Sequence, residues 1–401
     1  MSEGKRLIAV VTSSRADFGH LQWPLRRLRE RPEVDTRLIA IAAHLSPEFG
    51  HTVDDMEQAG FAPDETVECL LSSDSDAGMA KTIGVAVLGL TDILARMRPD
   101  LLLLIADRYE MLAPATAALA LRIPVAHIEG GDISEGAVDD AVRNALTRLS
   151  HLHFTPHEQA RQRVLAMGEE AWRVHVSGAP SLDNLTHAIL PNRAQLEKRL
   201  GLTLQPGFCV VAVHPVTLLR DTLAEIPALL QALASFKHQK IFCFPNADAG
   251  SRKLISDIRR WCGQHDDAAL FVNLDHLDYW GLLREADLMA GNSSSGIMES
   301  PALALPCVDV GIRQQGRLRA ANILHAQADR QAILDALEKA ASPAFRESLQ
   351  GMDNPWGDGE AGRRIADTLA SVTLGSSLLH KRALPLASSG TGPADFVFRH
   401  D

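Results

Sequence analysis

The chain contains no uninterrupted run of about 18 apolar residues, the length that a membrane-spanning helix needs, so none of its 401 residues is expected to cross a membrane. Its start, MSEGKRLIAVVTSSR, passes from a charged leader into a strand-like run and lacks the apolar length and small-residue cleavage site of a signal peptide. Cysteine is sparse and scattered. Cys69, Cys209, Cys243, Cys262 and Cys307 form no CxxC or other metal-type spacing, which argues against zinc and disulfides and predicts a reducing, cytoplasmic setting. No basic block offsets the formal charge of -10, so nucleic acid is not an expected partner. An anion would have to be bound by a few local donors. Short-period repeats and low-complexity tracts are also missing.

What is present is ordinary globular composition, 46% hydrophobic and 22% charged, in a chain too long for one core, so about two domains are expected. Apolar runs of strand length alternate with helical patterns almost throughout, the pattern of parallel α/β sheets. Strands are expected from Leu7 to Val11, Leu38 to Ala42, near Val67, Leu101 to Ile105, Val125 to Ile128, His153 to Thr155 and Val174 to Ser177. Beyond a boundary near Pro191 they recur from Cys209 to Val213, Ile241 to Phe244, Ala269 to Val272, Leu288 to Ala290 and Cys307 to Val310. Pro156 is expected to start one helix, and another to run from Ser295 to Leu303. This reads as two doubly wound, Rossmann-like α/β domains facing a cleft. Residues 1–190 carry acid/base groups, 191–372 bind a nucleotide, and 373–401 form a tail whose stretch from Ala387 to Pro393 reads as mobile. The last helix, about Gly359 to Thr373, is placed to pack back on the first domain.

The most informative stretch is LLLLIADRYEMLAPATAALALRIPVAHIEGGDISEGAVDDAVRNALTRL, from Leu101 to Leu149. One strand ends at Ala106-Asp107-Arg108 and the next at Glu129-Gly130-Gly131-Asp132, so two acids share the carboxyl edge where ligands of open α/β sheets gather. A further acidic pair, Asp139-Asp140, opens a helix carrying Arg143. Clustered carboxylates push one another's pKa apart, so that one holds a proton while its neighbour accepts one. The two glycines let backbone approach a ligand closely.

The second domain offers a complementary half. His214 follows a strand end directly, Asn246 follows another in FPNADAGSR, and Gly291-Asn292-Ser293-Ser294-Ser295-Gly296 follows a third before a helix. Small residues, hydroxyls and exposed amides at a helix start make an anion site without much positive charge, although such loops also cap helices with no ligand present. His214 by itself reads more often as structural, and the neighbouring loops shift that weighting toward a ligand contact. Arg15 is either a solvated loop cation or a phosphate ligand at a helix N-terminus. Arg313 could close over phosphates or form a surface salt bridge. Glu299 lies one turn beyond the serines, within reach of a ligand's sugar hydroxyls.

SRADFG, ADRYEML, HIEGGDISEGAVDDAVRNALTRLSHLHF, VSGAPSLDN, VAVHPVT, FPNADAGSR, GNSSSGIMES and GIRQQGR, in this order and spacing, resemble the hydrolysing UDP-N-acetylglucosamine 2-epimerases of bacterial sialic acid synthesis. The resemblance spans about residues 6 to 370. It implies a GT-B-like fold with the active site in the interdomain cleft, conversion of UDP-GlcNAc and water to ManNAc and UDP, no cofactor or metal, and a homodimer or homotetramer. By the same resemblance Asp107, Glu129 and Asp139 are catalytic acids with Arg143 beside them, and His214 lies near the diphosphate. Arg15, Arg108, Asn246, Ser293, Ser294 and Arg313 are nucleotide and phosphate contacts, Glu299 is the ribose contact, and Asn273 and Leu274 hold the base. Ala106 stands where glycine is usual, and Asn144 where many relatives have histidine, which bears on the identity of the sugar. The same reaction on UDP-2,4-diacetamido-2,4,6-trideoxyglucose ranks second. A non-hydrolysing epimerase, a GT-B glycosyltransferase and a silent nucleotide-sugar sensor follow.

Overall fold

In the computed structural model, residues 4–71, 75–244, 250–272 and 274–382 are described. Asn246, Asn273 and the stretch from Ala387 to Pro393 lie outside them. The chain forms two all-parallel sheets. The first contains β1 (Arg6–Thr12), β2 (Val34–Ile41), β3 (Glu65–Val67), β4 (Leu101–Ile105), β5 (Val125–Ile128), β6 (Leu152–Thr155) and β7 (Val174–Val176), in the order β3-β2-β1-β4-β5-β6-β7. The second contains β8 (Cys209–Ala212), β9 (Lys240–Phe244), β10 (Ala268–Val272), β11 (Leu288–Gly291), β12 (Cys307–Val310) and β13 (Ile323–Ala326), in the order β10-β9-β8-β11-β12-β13. The strand order reverses between β1 and β4 in one sheet and between β8 and β11 in the other. Crevices open at these switch points.

Period-two alternation explains why the central strands are apolar at every position. Ala9, Val11, Leu102 and Leu104 enter a core on one face of the first sheet, while Ile8, Val10, Leu101, Leu103 and Ile105 enter the core on the other. A parallel sheet covered on both faces by helices leaves no wet side. The helix Asp76–Met97 has the length and apolar composition to cross a membrane, although it is not the uninterrupted apolar run sought in the sequence. Its Lys81 and Asp92 break the uninterrupted run sought in the sequence. Thr82, Ala86, Leu90, Ile93 and Leu94 are its buried face, and the four apolar ones belong to the core under the sheet.

The chain end returns to the first sheet. Ile365, Ala366 and Leu369 of the helix Ala361–Ser371 share a core with Leu21, Leu25 and Leu28 of the helix Arg15–Arg29. Asp183 accepts the N–H groups of Ala361 (2.9 Å) and Gly362 (2.7 Å) and so fixes the start of the returning helix. The buried Arg173 then donates to the carbonyls of Leu378 (2.7 Å), Ser377 and His380 (both 3.0 Å). The residues just after 373 are therefore tied to the first domain, and the expected tail starts later than the sequence suggested.

Other differences have local causes. Pro156 precedes the helix Glu158–Ala166, which is capped by His157 accepting from the N–H of Ala160. The helix expected from Ser295 to Leu303 is a single turn, Ser295–Met298, followed by a separate tighter turn, Ser300–Leu303, with Pro301 near its start. Proline supplies no N–H to continue the first turn's ladder. The edge strand β13 escaped notice because only its two ends are buried.

Two predictions follow from the packing. A Cβ on Gly362 would lie 2.8 Å from the nitrogen of Pro24 and 2.9 Å from the carbonyl carbon of Trp23. Gly362→Ala should therefore lose about 1–3 kcal/mol of stability as the helix crossing is forced apart; an unchanged urea midpoint would show that the crossing is not tight. Buried His44, between Thr12 Oγ1 (2.9 Å) and Thr52 Oγ1 (2.8 Å), is pushed down to about 3 by burial and then by Arg15. Its folded value lies below its unfolded one, so its contribution is present near neutral pH and lost as pH falls below about 6.5. Burial pushes Asp17 and Asp183 up to about 6, and these act in the opposite sense. The clean comparison is thus with His44→Gln. Between pH 7.5 and 5, wild type should lose on the order of 1–2 kcal/mol relative to that variant, and a constant difference would contradict a neutral buried imidazole.

Candidate active site

The loops that leave β1, β4 and β5 face those that leave β8, β11 and β12. After β1, Ser14 caps the helix Arg15–Arg29, and Asp17 accepts from the N–H (3.1 Å) and hydroxyl (2.6 Å) of Ser13, which stiffens the turn. This delivers Arg15 to the first helical position, where it is buried on the cavity wall. Among the described residues its Nη1 has no hydrogen-bond partner. A guanidinium so placed favours a bound anion over the solvated-loop reading.

After β4, Asp107 forms an ion pair with Arg143, which is almost wholly buried and also donates to the carbonyl of Asp132 at 3.2 Å. Burial alone would raise Asp107. Arg143 first, then Arg317, Arg313 and Arg108, outweigh it and hold the carboxyl below its ordinary value. Asp107 is thus held as a carboxylate. Ala106, just before it, has φ +55°, the left-handed conformation that explains why glycine suits this position. The carbonyl of Ala106 meets Nε2 of His127 at 2.7 Å, and burial lowers that imidazole to about 4. A carbonyl only accepts, so His127 carries its proton on Nε2.

Glu129, at the end of β5, also has a left-handed backbone, φ +65°. Such strain collects at functional positions. Its Oε1 lies 3.0 Å from Nδ1 of His20. Asp139 opens the helix Asp139–Leu149 and adds to the negative field around Arg143. Its neighbour Asp140 accepts from the N–H of Ser134 (2.8 Å) and the amide of Asn144 (3.1 Å), so Asn144 orients an acid.

Across the cleft, Asn292 locks the loop after β8: its Oδ1 accepts the N–H of His214 (2.7 Å) and its Nδ2 donates to the carbonyl of His214 (2.9 Å). Arg313 Nη1 (3.3 Å) and Gln314 Nε2 (2.8 Å) both donate to the carbonyl of Asn292. Ser293, Ser294, His214, Leu274 and Glu299 line one cavity together with Arg15 and His20. Glu299 accepts from Ser295 Oγ, which in turn accepts from Tyr279 OH at 2.8 Å.

The lobes touch directly. Arg317 Nε donates to Asp132 Oδ2 at 2.6 Å with both side chains buried, and His157 stands 3.6 Å from the other oxygen. The N–H of Glu135 donates to the carbonyl of Gln315 (3.1 Å), and that of Val138 to Thr217 Oγ1 (3.1 Å). A Cβ on Gly136 would sit 2.3 Å from the carbonyl oxygen of Ile312, and one on Gly316 2.5 Å from Ile133. Only glycine permits this approach.

Not every expected residue lines the cavity. Arg108 is buried against Glu110 at 2.9 Å, over the ring of Tyr109, and acts on Asp107; like Asp107, Glu129, Asp139, Arg143 and Arg313, it is not among the residues that line the cavity. Conversely, Asp132, Arg317 and His20 are central here and were not singled out from the sequence. The acid of the GGD turn and the arginine ending GIRQQGR were legible as charges beside motifs, but their pairing across 185 residues was not.

A sequence profile described as UDP-N-acetylglucosamine 2-epimerase matches residues 26–370. A Campylobacter jejuni protein named GDP/UDP-N,N'-diacetylbacillosamine 2-epimerase (hydrolyzing) is 34% identical over 95% of this chain and 100% of its own length. A Neisseria meningitidis UDP-N-acetylglucosamine 2-epimerase is 31% identical over 84% of this chain and 88% of its own. The fold matches a solved structure of UDP-GlcNAc 2-epimerase from Neisseria meningitidis bound to UDP-GlcNAc, with a TM-score of 0.77 at 18% identity, covering 90% of this chain and 99% of that one. The chain belongs to the UDP-N-acetylglucosamine 2-epimerase family and to its hydrolysing group.

Proposed function

We propose that the protein is a cytoplasmic hydrolysing 2-epimerase that converts UDP-GlcNAc and water to ManNAc and UDP. The observation that supports this reading most is that the acid loops of the first lobe are tied to the second: Arg317 pairs with Asp132, Arg313 and Arg317 act on Asp107, and His20, on the wall of the cavity lined by Arg15, His214, Ser293 and Ser294, reaches Glu129. In this reading the diphosphate sits between Arg15 and the serines, Arg313 supports it through the loop of Asn292, and Glu299 holds the ribose. The C2 proton of the sugar passes to a carboxylate as the C1–O bond breaks and UDP departs, leaving 2-acetamidoglucal. Water then adds its hydroxyl at C1, and a proton is delivered to C2 on the face that gives the manno product. Asp107, held ionised by Arg143, suits the accepting role. Fixed donors aimed at the leaving diphosphate act on charge as it develops. Asn246 and Asn273 remain part of the proposal as nucleotide contacts, and Arg108 is better read as support for the acid wall.

A second substrate is favoured by one observation: the relative named for diacetylbacillosamine is somewhat more similar than the one named for UDP-N-acetylglucosamine. The five cysteines, all free thiols, support a reducing compartment. Leu88, 73% exposed, and Leu119 stand on two helices that pack together, and this apolar surface supports a homodimer or homotetramer.

The test is direct. Purified protein given UDP-GlcNAc alone should release UDP and free ManNAc, with the 2,4-diacetamido sugar nucleotide run in parallel. Faster turnover of the latter would reassign the sugar, UDP-ManNAc would indicate the non-hydrolysing reaction, and turnover only with an added acceptor would indicate a transferase. Asp107→Asn should lower turnover by about 10²–10⁴-fold while UDP still binds; retained activity would remove Asp107 from the chemistry.

A further inference from the structure

His20 belongs to neither half of the site as drawn above, yet it touches both. It sits on the helix Arg15–Arg29, its side chain 23% exposed, with Nδ1 3.0 Å from Glu129 Oε1 and Nε2 3.6 Å from Glu299 Oε1. The first carboxylate belongs to the acid wall of one lobe, the second to the ribose end of the other. Glu299 uses its other oxygen, Oε2, for Ser295. A neutral imidazole has one N–H, so it can donate to one carboxylate only. Glu129 hydrogen-bonds to Nδ1, and Glu299, at ion-pair distance from Nε2 but beyond hydrogen-bond reach, adds a second negative charge beside the ring, so the pair of carboxylates favours the imidazolium. Among the described residues no other side chain hydrogen-bonds to Glu129.

We infer that His20 is a positioning residue: an imidazolium bridge that fixes Glu129 for proton transfer and makes its charge environment respond to nucleotide bound at Glu299. The inference rests on the proposed function for the roles of the two glutamates. When ribose hydroxyls take Glu299 Oε1, the second carboxylate is screened from the ring and its charge is left facing Glu129 alone. Arrival of the nucleotide would thereby be read at the acid wall before chemistry begins. Besides Glu299, the other titratable groups around the same cavity are Arg15, just over one turn earlier on the same helix, and His214, Cys243, His276 and Tyr279 across it. Burial opposes charging of His20, and the carboxylates, Glu129 before Glu299, outweigh it and hold the imidazole well above its ordinary value. A bridge that works as imidazolium is intact at low pH and is lost as pH rises through that elevated value.

Two measurements on the full chain test this. In histidine-labelled protein, the imidazole signal lost in His20→Gln should titrate above about 6.5, fall in Glu129→Gln, and shift when UDP is added. Titration near the ordinary value, or indifference to Glu129→Gln or to bound UDP, would overturn the bridge. If UDP does not bind at all, the proposed function fails while the Glu129→Gln comparison still decides the bridge. In the kinetic arm, His20→Gln should lower kcat by about 10–100-fold with KM changed only a few-fold, as expected of a misplaced catalytic group. His20→Lys, which keeps the cation, should recover part of kcat and move the alkaline fall of the pH profile to higher pH. A rise in KM with kcat intact would make His20 a plain nucleotide contact, and an unmoved pH profile in His20→Lys would assign it a structural role. UDP affinity of each variant serves as the check that it has folded.

Discussion

The buried ion pair between Asp132 and Arg317 is the contact that makes two separate α/β lobes into one site. Burying either charge alone would cost several kcal/mol, so each residue is strongly held to the other once the lobes meet. The surrounding geometry repeats the demand. Main-chain bonds from Glu135 and Val138 cross the same seam, and the backbones at Gly136 and Gly316 come too close for any side chain. Arg143 binds both the carbonyl of Asp132 and the carboxylate of Asp107, so the seam and the acid wall share one guanidinium. Arg317 and Arg313 of the opposite lobe also contribute to keeping Asp107 ionised. The charge state of Asp107 is therefore a property of the joined pair of lobes.

A protein with a formal charge of -10 has to attract a diphosphate with little net help from its surface. The fold answers with placement. Arg15 is carried to a helix start with one guanidinium nitrogen that has no partner among the described residues, and Asn292, Arg313 and Gln314 together hold one loop in shape. Rigid neutral donors cost little reorganisation when charge develops. Around Asp107 the carboxylates are balanced by Arg143, Arg317, Arg313 and Arg108, while the cavity that holds Arg15 is lined by serines and one carboxylate, Glu299. His20 stands at the border between these regions and contacts an acid from each lobe.

Much of this was legible in the residues. Uninterrupted apolar strands ending in Ala106-Asp107 and Glu129-Gly130-Gly131 announced a parallel sheet with acids on its carboxyl edge, because strand period and burial on both faces leave few alternatives. The helix start at Ser293 and Ser294 was equally readable. Partnership across the chain was not. Nothing in local spacing says that Asp132 meets Arg317, or that His20, one helical residue among several polar ones, lands between two glutamates. Arg108 shows the same thing: its place after the β4 end suggests a ligand contact, and its pairing with the buried Glu110 two residues on is not legible from that spacing. The returning helix Ala361–Ser371 was foreseen as a helix, but its tight crossing at Gly362 depends on Pro24 and Trp23, far away in sequence.

The central claim is that the acid wall of the first lobe and the phosphate seat of the second act on one bound molecule. A crystal structure of Asp107→Asn protein soaked with UDP-GlcNAc tests it most directly. The account predicts the diphosphate against Arg15, Ser293 and Ser294, with sugar C2 within proton-transfer reach of position 107 or Glu129. A nucleotide seated there with its sugar directed away from both acids would contradict it.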